Sequence, residues 1–268
     1  PYGYVLDSTP VPFDVTEENS TQEGGITLIK VDKPNMAQKG TISVEKTGEV
    51  FFGVNVFGEK DKDVIYQPVY TVKGLAGAVY EITADEDIIT PDGTLRYHKG
   101  DVVDTVTTDD EGFAKSKELY LGKYTVVEIK APNGMVINNE KHSVELTYAG
   151  QDVAVTETVT SFYNERQKVK ISLEKVLEQN DTFGIGTNDE IKNISFGLYA
   201  KEDIVSSSGT VIPAEGLIEI ITLDENGTAI ANTDLPFGSY YIKEIATDEH
   251  YILSDTQYPF TFEYAGQD

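Results

Sequence analysis

Cysteine and tryptophan are both absent from the 268 residues, and methionine occurs only twice. Without cysteine there are no disulfide staples, so a chain working outside the cytosol must stay stable another way. No apolar run approaches the ~20 residues needed to span a bilayer. Positive charge is scarce: 21 Lys and Arg face 46 Asp and Glu, a formal charge of −25 with a pI near 4.3. That balance argues against binding a nucleic-acid backbone or inserting into an anionic membrane, and it favours solubility. The three histidines, His98, His142 and His250, are scattered without metal-like spacing and are expected at the surface. Asp85, Asp87 and Asp92 lack the EF-hand pattern. There is no Gly-rich phosphate loop, nucleophile elbow or zinc motif, so neither a metal nor a cofactor is expected. An initiating Met, a leader and an anchor are also missing, and Pro1-Tyr2-Gly3-Tyr4 reads like the middle of a domain. The expectation is a piece of a longer protein, with its targeting signals elsewhere.

What the chain does have is strands. Thr41-Ile42-Ser43-Val44-Glu45-Lys46, Tyr124-Thr125-Val126-Val127-Glu128-Ile129 and Ser143-Val144-Glu145-Leu146-Thr147-Tyr148 alternate polar and apolar residues. A period of two is that of half-buried strands, and 16 Tyr and 11 Phe suit them. Pro91-Asp92-Gly93, Asp109-Asp110-Glu111-Gly112 and Glu225-Asn226-Gly227 supply turns between them. No segment holds an apolar 3.6 period long enough for a major helix, so the fold class is all-β.

An internal repeat sets the domain map. Asn35-Met-Ala-Gln-Lys-Gly-Thr-Ile-Ser-Val-Glu-Lys46 aligns without a gap on Asn164-Glu-Arg-Gln-Lys-Val-Lys-Ile-Ser-Leu-Glu-Lys175. Leu119-Tyr-Leu-Gly-Lys-Tyr-Thr-Val-Val-Glu128-Ile129 aligns on Leu235-Pro-Phe-Gly-Ser-Tyr-Tyr-Ile-Lys-Glu244-Ile245, and Tyr148-Ala-Gly-Gln-Asp152 on Tyr264-Ala-Gly-Gln-Asp268. Gly3-Tyr4-Val5-Leu6-Asp7 parallels Gly134-Met135-Val136-Ile137-Asn138. The expected domains are the end of one repeat (1–38), a complete repeat (39–166), and a third repeat without its last strand (167–268).

The complete repeat resembles the CnaB-type domains (SpaA-like, prealbumin-like, inverse Ig-type β-sandwiches) of Gram-positive pilins and adhesin stalks. The resemblance is carried by Val44-Glu45-Lys46, Gly74-Leu75-Ala76-Gly77-Ala78-Val79-Tyr80-Glu81 and Thr107-Thr108-Asp109-Asp110-Glu111-Gly112. Leu121 to Glu128, Ala131-Pro132-Asn133-Gly134 and Phe162-Tyr163-Asn164 complete it. It implies an intramolecular isopeptide bond in which Lys46 attacks the side-chain amide of Asn164, assisted by a buried Glu128. Burial among aromatics favours the neutral, nucleophilic amine and a protonated carboxyl. Lys175 and Glu244 repeat the Lys46 and Glu128 roles in the third repeat, which has no matching Asn; Asn35 stands at the Asn position of the first fragment. Lys175 and Asn35 are therefore an unpaired or intermolecular cross-link pair.

The resemblance further implies an extracellular, wall-anchored spacer whose partners are neighbouring repeats of the same protein, and not an enzyme acting on an outside substrate. Two alternatives stay open. One is a binding module for a host or neighbouring-cell ligand, with the aromatic insertion Phe51 to Val72 either its face or simply an added strand pair. The other is a pilus subunit, although no Tyr-Pro-Lys-Asn-like sortase motif is present and Val31-Asp32-Lys33-Pro34-Asn35 is a poor substitute.

Overall fold

The computed structural model describes residues 1–58 and 64–268; the tip of the Phe51–Val72 insertion lies outside them. Among the described residues the only helical element is a 3₁₀ turn, Glu190–Asn193. The early strands are β1 (Ser20–Glu23), β2 (Ile26–Ile29), β3 (Lys39–Phe57), β4 (Ile65–Gly74), β5 (Val79–Ala84), β6 (Ile88–Ile89) and β7 (Leu95–Tyr97). Next come β8 (Val102–Thr107), β9 (Phe113–Lys115), β10 (Leu119–Tyr120), β11 (Gly122–Lys130), β12 (Lys141–Leu146), β13 (Val155–Asn164) and β14 (Ser172–Glu174). The remainder are β15 (Ser195–Ala200), β16 (Ile204–Val205), β17 (Val211–Ile212), β18 (Leu217–Thr222), β19 (Thr228–Ile230), β20 (Gly238–Ala246) and β21 (Tyr258–Phe262). They fall into two compact units.

The first unit comprises Pro1–Lys46, Leu75–Lys130 and Asn138–Phe162. Strands β12, β11, β5 and β8 form one antiparallel sheet. Opposite it, β3 pairs with β9, β10 and β13. Contacts climb β3 and β13 together, from Lys39 N–Ala154 O (3.4 Å) to Ser161 Oγ–Glu45 Oε2 (2.8 Å), so these two strands run parallel. Ile42, Val44, Tyr80, Ile82, Tyr124, Val126 and Phe162 fill the space between the layers. The period-two pleat turns Ile42, Val44 and Lys46 to one face of β3, and Tyr124, Val126 and Glu128 to one face of β11; all are buried. In the leading segment β1 and β2 pair with each other, and Ile26 and Leu28 are exposed.

The second unit comprises Thr47–Gly74, Ala131–Ile137 and Tyr163–Asp268. Its sheet runs β4-β18-β15-β20-β21 over a core of Phe196, Leu198, Ile218, Ile221, Tyr240 and Ile242. The Phe51–Val72 insertion, expected as a strand pair packed on its own repeat, forms the pair but belongs to the second unit. The distal half of β3 pairs with β4, which in turn joins β18 in parallel at Ile65–Leu217. Phe51, Val54 and Tyr66 from this hairpin pack on the second unit's core.

Arg166 anchors the hairpin. Its guanidinium lies 3.7 Å from the Tyr70 ring centre, 3.5 Å from Glu49 Oε2, and against the Asp234 carboxylate. The Tyr70 hydroxyl donates to the Asp234 carbonyl, and burial pushes its pKa up to about 12, so it stays a donor at neutral pH. Removing one member of a buried pair strands its partners. Here Glu49 and Asp234 both keep some solvent, with side chains 35% and 38% exposed. Arg166→Ala should therefore destabilise the second unit by about 2 kcal/mol, short of the full buried-pair penalty. In urea melts only one of two transitions should shift; loss from both would contradict the assignment.

Candidate functional site

Lys46 sits among apolar side chains because alternation along β3 leaves it no other face. Its side chain is fully buried, as is that of Glu128, and Nζ lies 3.0 Å from Glu128 Oε1. Two aromatic rings enclose the amine: the Tyr80 centroid is 5.8 Å away and the Phe162 centroid 5.9 Å. Those rings pack on each other at 4.8 Å. Burial lowers the Lys46 pKa from its ordinary value, opposed by the hydrogen bond and charge of Glu128. Desolvation penalises the charged amine, and the neutral form is the nucleophile.

Glu128 is held from its other side. Oε2 accepts from the Asn138 amide at 2.7 Å, and the Tyr80 hydroxyl donates to Oε1 at 3.5 Å. Burial, with the Glu128 charge second, drives the Tyr80 pKa far up, so this hydroxyl remains protonated. An ion pair and a neutral amine–acid pair differ by one proton moved across the 3.0 Å contact. The arrangement can thus hold a neutral amine against a carboxyl group. Asn164, the last residue of β13, is 1% exposed and continues the inward-facing series Thr160, Phe162.

The second unit repeats the pair with looser cover. Lys175 Nζ is 3.2 Å from Glu244 Oε1, with side chains 28% and 2% exposed. Glu244 Oε2 accepts from the Ser254 amide at 2.9 Å, as Glu128 does from Asn138. Both carboxylates are thus gripped by a backbone amide ten residues on. Beside Lys175 an open groove of about 690 Å³ runs between Val169–Lys175 and Tyr258–Thr261. Asn35 is exposed, beyond β2.

Two features lay outside the sequence reading. The amide at Asn138 belongs to a repeated segment that was visible, but its grip on Glu128 was not. His142 was expected at the surface, yet it is half-buried, stacked 3.9 Å from the Phe162 ring, with Nδ1 2.7 Å from Thr160 Oγ1. On β12 its side chain faces the inward series of β13, a proximity that only tertiary pairing creates. His98 and His250 are exposed. Among the described residues no cluster of three or more His, Cys, Asp or Glu is placed to hold a metal, and no helix is long and apolar enough to cross a membrane.

The family model for the SpaA prealbumin-like fold domain matches residues 68–160 and again residues 182–268. The chain belongs to this family. Half of the chain is also similar to a streptococcal surface protein. The trypsin-resistant surface T6 protein of Streptococcus pyogenes serotype M6 is 27% identical over 139 residues, which cover 50% of this chain and 24% of that protein. The chain thus spans about a quarter of the curated relative it matches. Among solved structures, the Bacillus anthracis TIE protein superposes with a TM-score of 0.51 at 22% identity, covering 87% of this chain and 33% of that one. The shaft pilin SpaA of Lactobacillus rhamnosus GG gives 0.32 at 13% identity, over 85% and 96% of the two chains.

Proposed function

We propose that this SpaA-family chain is a spacer segment of a wall-anchored bacterial surface protein, its complete repeat closed by an isopeptide bond between Lys46 and Asn164. The observation that carries the reading is the fully buried Lys46–Glu128 pair at 3.0 Å inside an aromatic enclosure. Such a pair is costly to bury and has no evident stabilising purpose of its own. In the reaction, neutral Lys46 Nζ attacks Asn164 Cγ while protonated Glu128 donates to the amide oxygen. The Cγ–Nδ2 bond then breaks, Glu128 relays the proton from Nζ to the departing nitrogen, and ammonia leaves. Folding supplies the proximity, which can lower such a barrier by about 7–11 kcal/mol. The turnover is single and the product is part of the fold.

The spacer role is tested by pulling. Tension along β3 and β13 would pass through the bond, and the roughly 120 residues between its ends would stay folded, withholding about 400 Å of extension. Single-molecule stretching of the parent and of Asn164→Ala should differ by that length. Equal extension would refute the spacer mechanism.

Lys175 and Glu244 form the second centre in this reading. The groove beside Lys175 seats a strand as β3 seats β13, and an Asn on that strand completes the reaction. Asn35, behind the exposed Ile26–Val31 segment, would serve when two molecules meet. Strand addition to an open edge supplies the main-chain hydrogen bonds. A ladder of covalent oligomers on denaturing gels of concentrated protein, abolished by Lys175→Ala, is the expected result; monomer alone in the parent would exclude this use of Asn35.

A further inference from the structure

Two repeated motifs that the cross-link chemistry leaves idle meet each other in space, once in each unit. Gln38 and Gln167 stand three residues after Asn35 and Asn164, while Tyr148-Ala-Gly-Gln-Asp152 and Tyr264-Ala-Gly-Gln-Asp268 lie far along the chain. In the first unit the Gln38 carboxamide oxygen accepts from Ala149 N at 2.8 Å. Its nitrogen donates to the Gly150 carbonyl at 2.8 Å and to the Val153 carbonyl. In the second unit the Gln167 oxygen accepts from Ala265 N at 2.9 Å, and its nitrogen donates to the Gly266 carbonyl.

The backbone around each glutamine repeats the same ladder. Gln38 N donates to Gly3 O (2.8 Å), Val5 N to Met36 O (2.9 Å) and Leu6 N to Gln151 O (2.8 Å). Gln167 N donates to Gly134 O (3.0 Å), Val136 N to Glu165 O (2.8 Å) and Ile137 N to Gln267 O (2.8 Å). Gln267 adds a side-chain bond from Ala131 N at 3.0 Å. Six positions thus recur in register. The third strand of each ladder comes from a Gly-x-Val segment that the sequence repeat assigns to the end of the preceding repeat.

We propose that this three-part clasp is the joint by which a repeat grips the one before it, with the glutamine carboxamide as its specificity element. The inference goes beyond the spacer reading and stands independently of the cross-link. The partner surface is the Gly-x-Val segment and the strand exit of a preceding repeat of the same architecture. The chemistry selects glutamine. Gln38 is 1% exposed, so the loop N–H and C=O it serves need an acceptor and a donor from one side chain. Glutamate would set a carboxylate against the glycine carbonyl, and asparagine falls one methylene short. An apolar residue would leave loop N–H and C=O groups unpaired.

Hydrogen exchange on the full chain tests the joint. Gln167→Ala should speed exchange at Val136, Ile137 and Ala265 by tenfold or more, leaving Val5, Leu6 and Ala149 at parental rates; Gln38→Ala should do the reverse. Gln167→Asn, which keeps the carboxamide but withdraws it, should match Gln167→Ala. Unchanged rates at those amides would overturn the proposal. So would a rise spread evenly over β15 and β20, which would make the glutamine a core residue and not a joint.

Discussion

Intact mass of the folded, freshly prepared chain is expected to fall about 17 Da below the sequence mass, the loss of one ammonia that amide exchange between Lys46 and Asn164 requires. Glu128→Ala should remain folded and show no deficit, since it removes the carboxyl 3.0 Å from Lys46 Nζ that relays the proton to the leaving nitrogen. Asn164→Ala should likewise keep its full mass. The deficit is expected once from Lys46 and Asn164; a second loss would need an Asn partner for Lys175. The rate should also depend on pH. For chain synthesised in vitro and sampled as it folds, bond formation should slow as pH rises towards 10.5, because the reactive pair holds one proton between Lys46 and Glu128 and burial lowers the Lys46 pKa from that value. A full-mass parent at every pH would sink the chemistry outright.

The second large effect is thermal. Joining residues so far apart in sequence removes denatured-state entropy worth about 4–5 kcal/mol by analogy with disulfides closing loops of this size. Asn164→Ala should therefore lower the melting temperature of the first unit by roughly 15 °C. Glu128→Ala should fall further, since it also leaves Lys46 buried opposite no carboxylate. Calorimetry that found both variants within a few degrees of the parent would show that the site contributes nothing to stability.

Much of the site could be read from alternation alone. Once Ile42 and Val44 face inward, Lys46 must follow, and the same parity carries Tyr124 and Val126 to Glu128, and Phe162 to Asn164. The repeat likewise exposed Lys175 and Glu244. What stayed hidden depends on pairing between distant segments. Nothing local in Ile65–Gly74 says that it will lie parallel to Leu217, and nothing in Arg166 names Glu49, Tyr70 and Asp234 as its surroundings. The glutamine motifs were visible as repeats, but a carboxamide bonding to a loop's backbone leaves no periodicity of its own.

The parallel run of β3 against β13 has a consequence for the order of events. These strands are separated by more of the chain than any other pair in their unit, and loop-closure entropy makes such contacts late ones. Lys46, Glu128 and Tyr80 can assemble without β13, held by the Asn138 amide and the antiparallel pairing of β5 with β11. Their acceptor arrives only when the final strand docks in register. A chain still threaded, stalled or misregistered would hold an armed amine with nothing to strike. The proposed bond would then act as a seal applied at the end of folding, recording in covalent form that the last strand found its place.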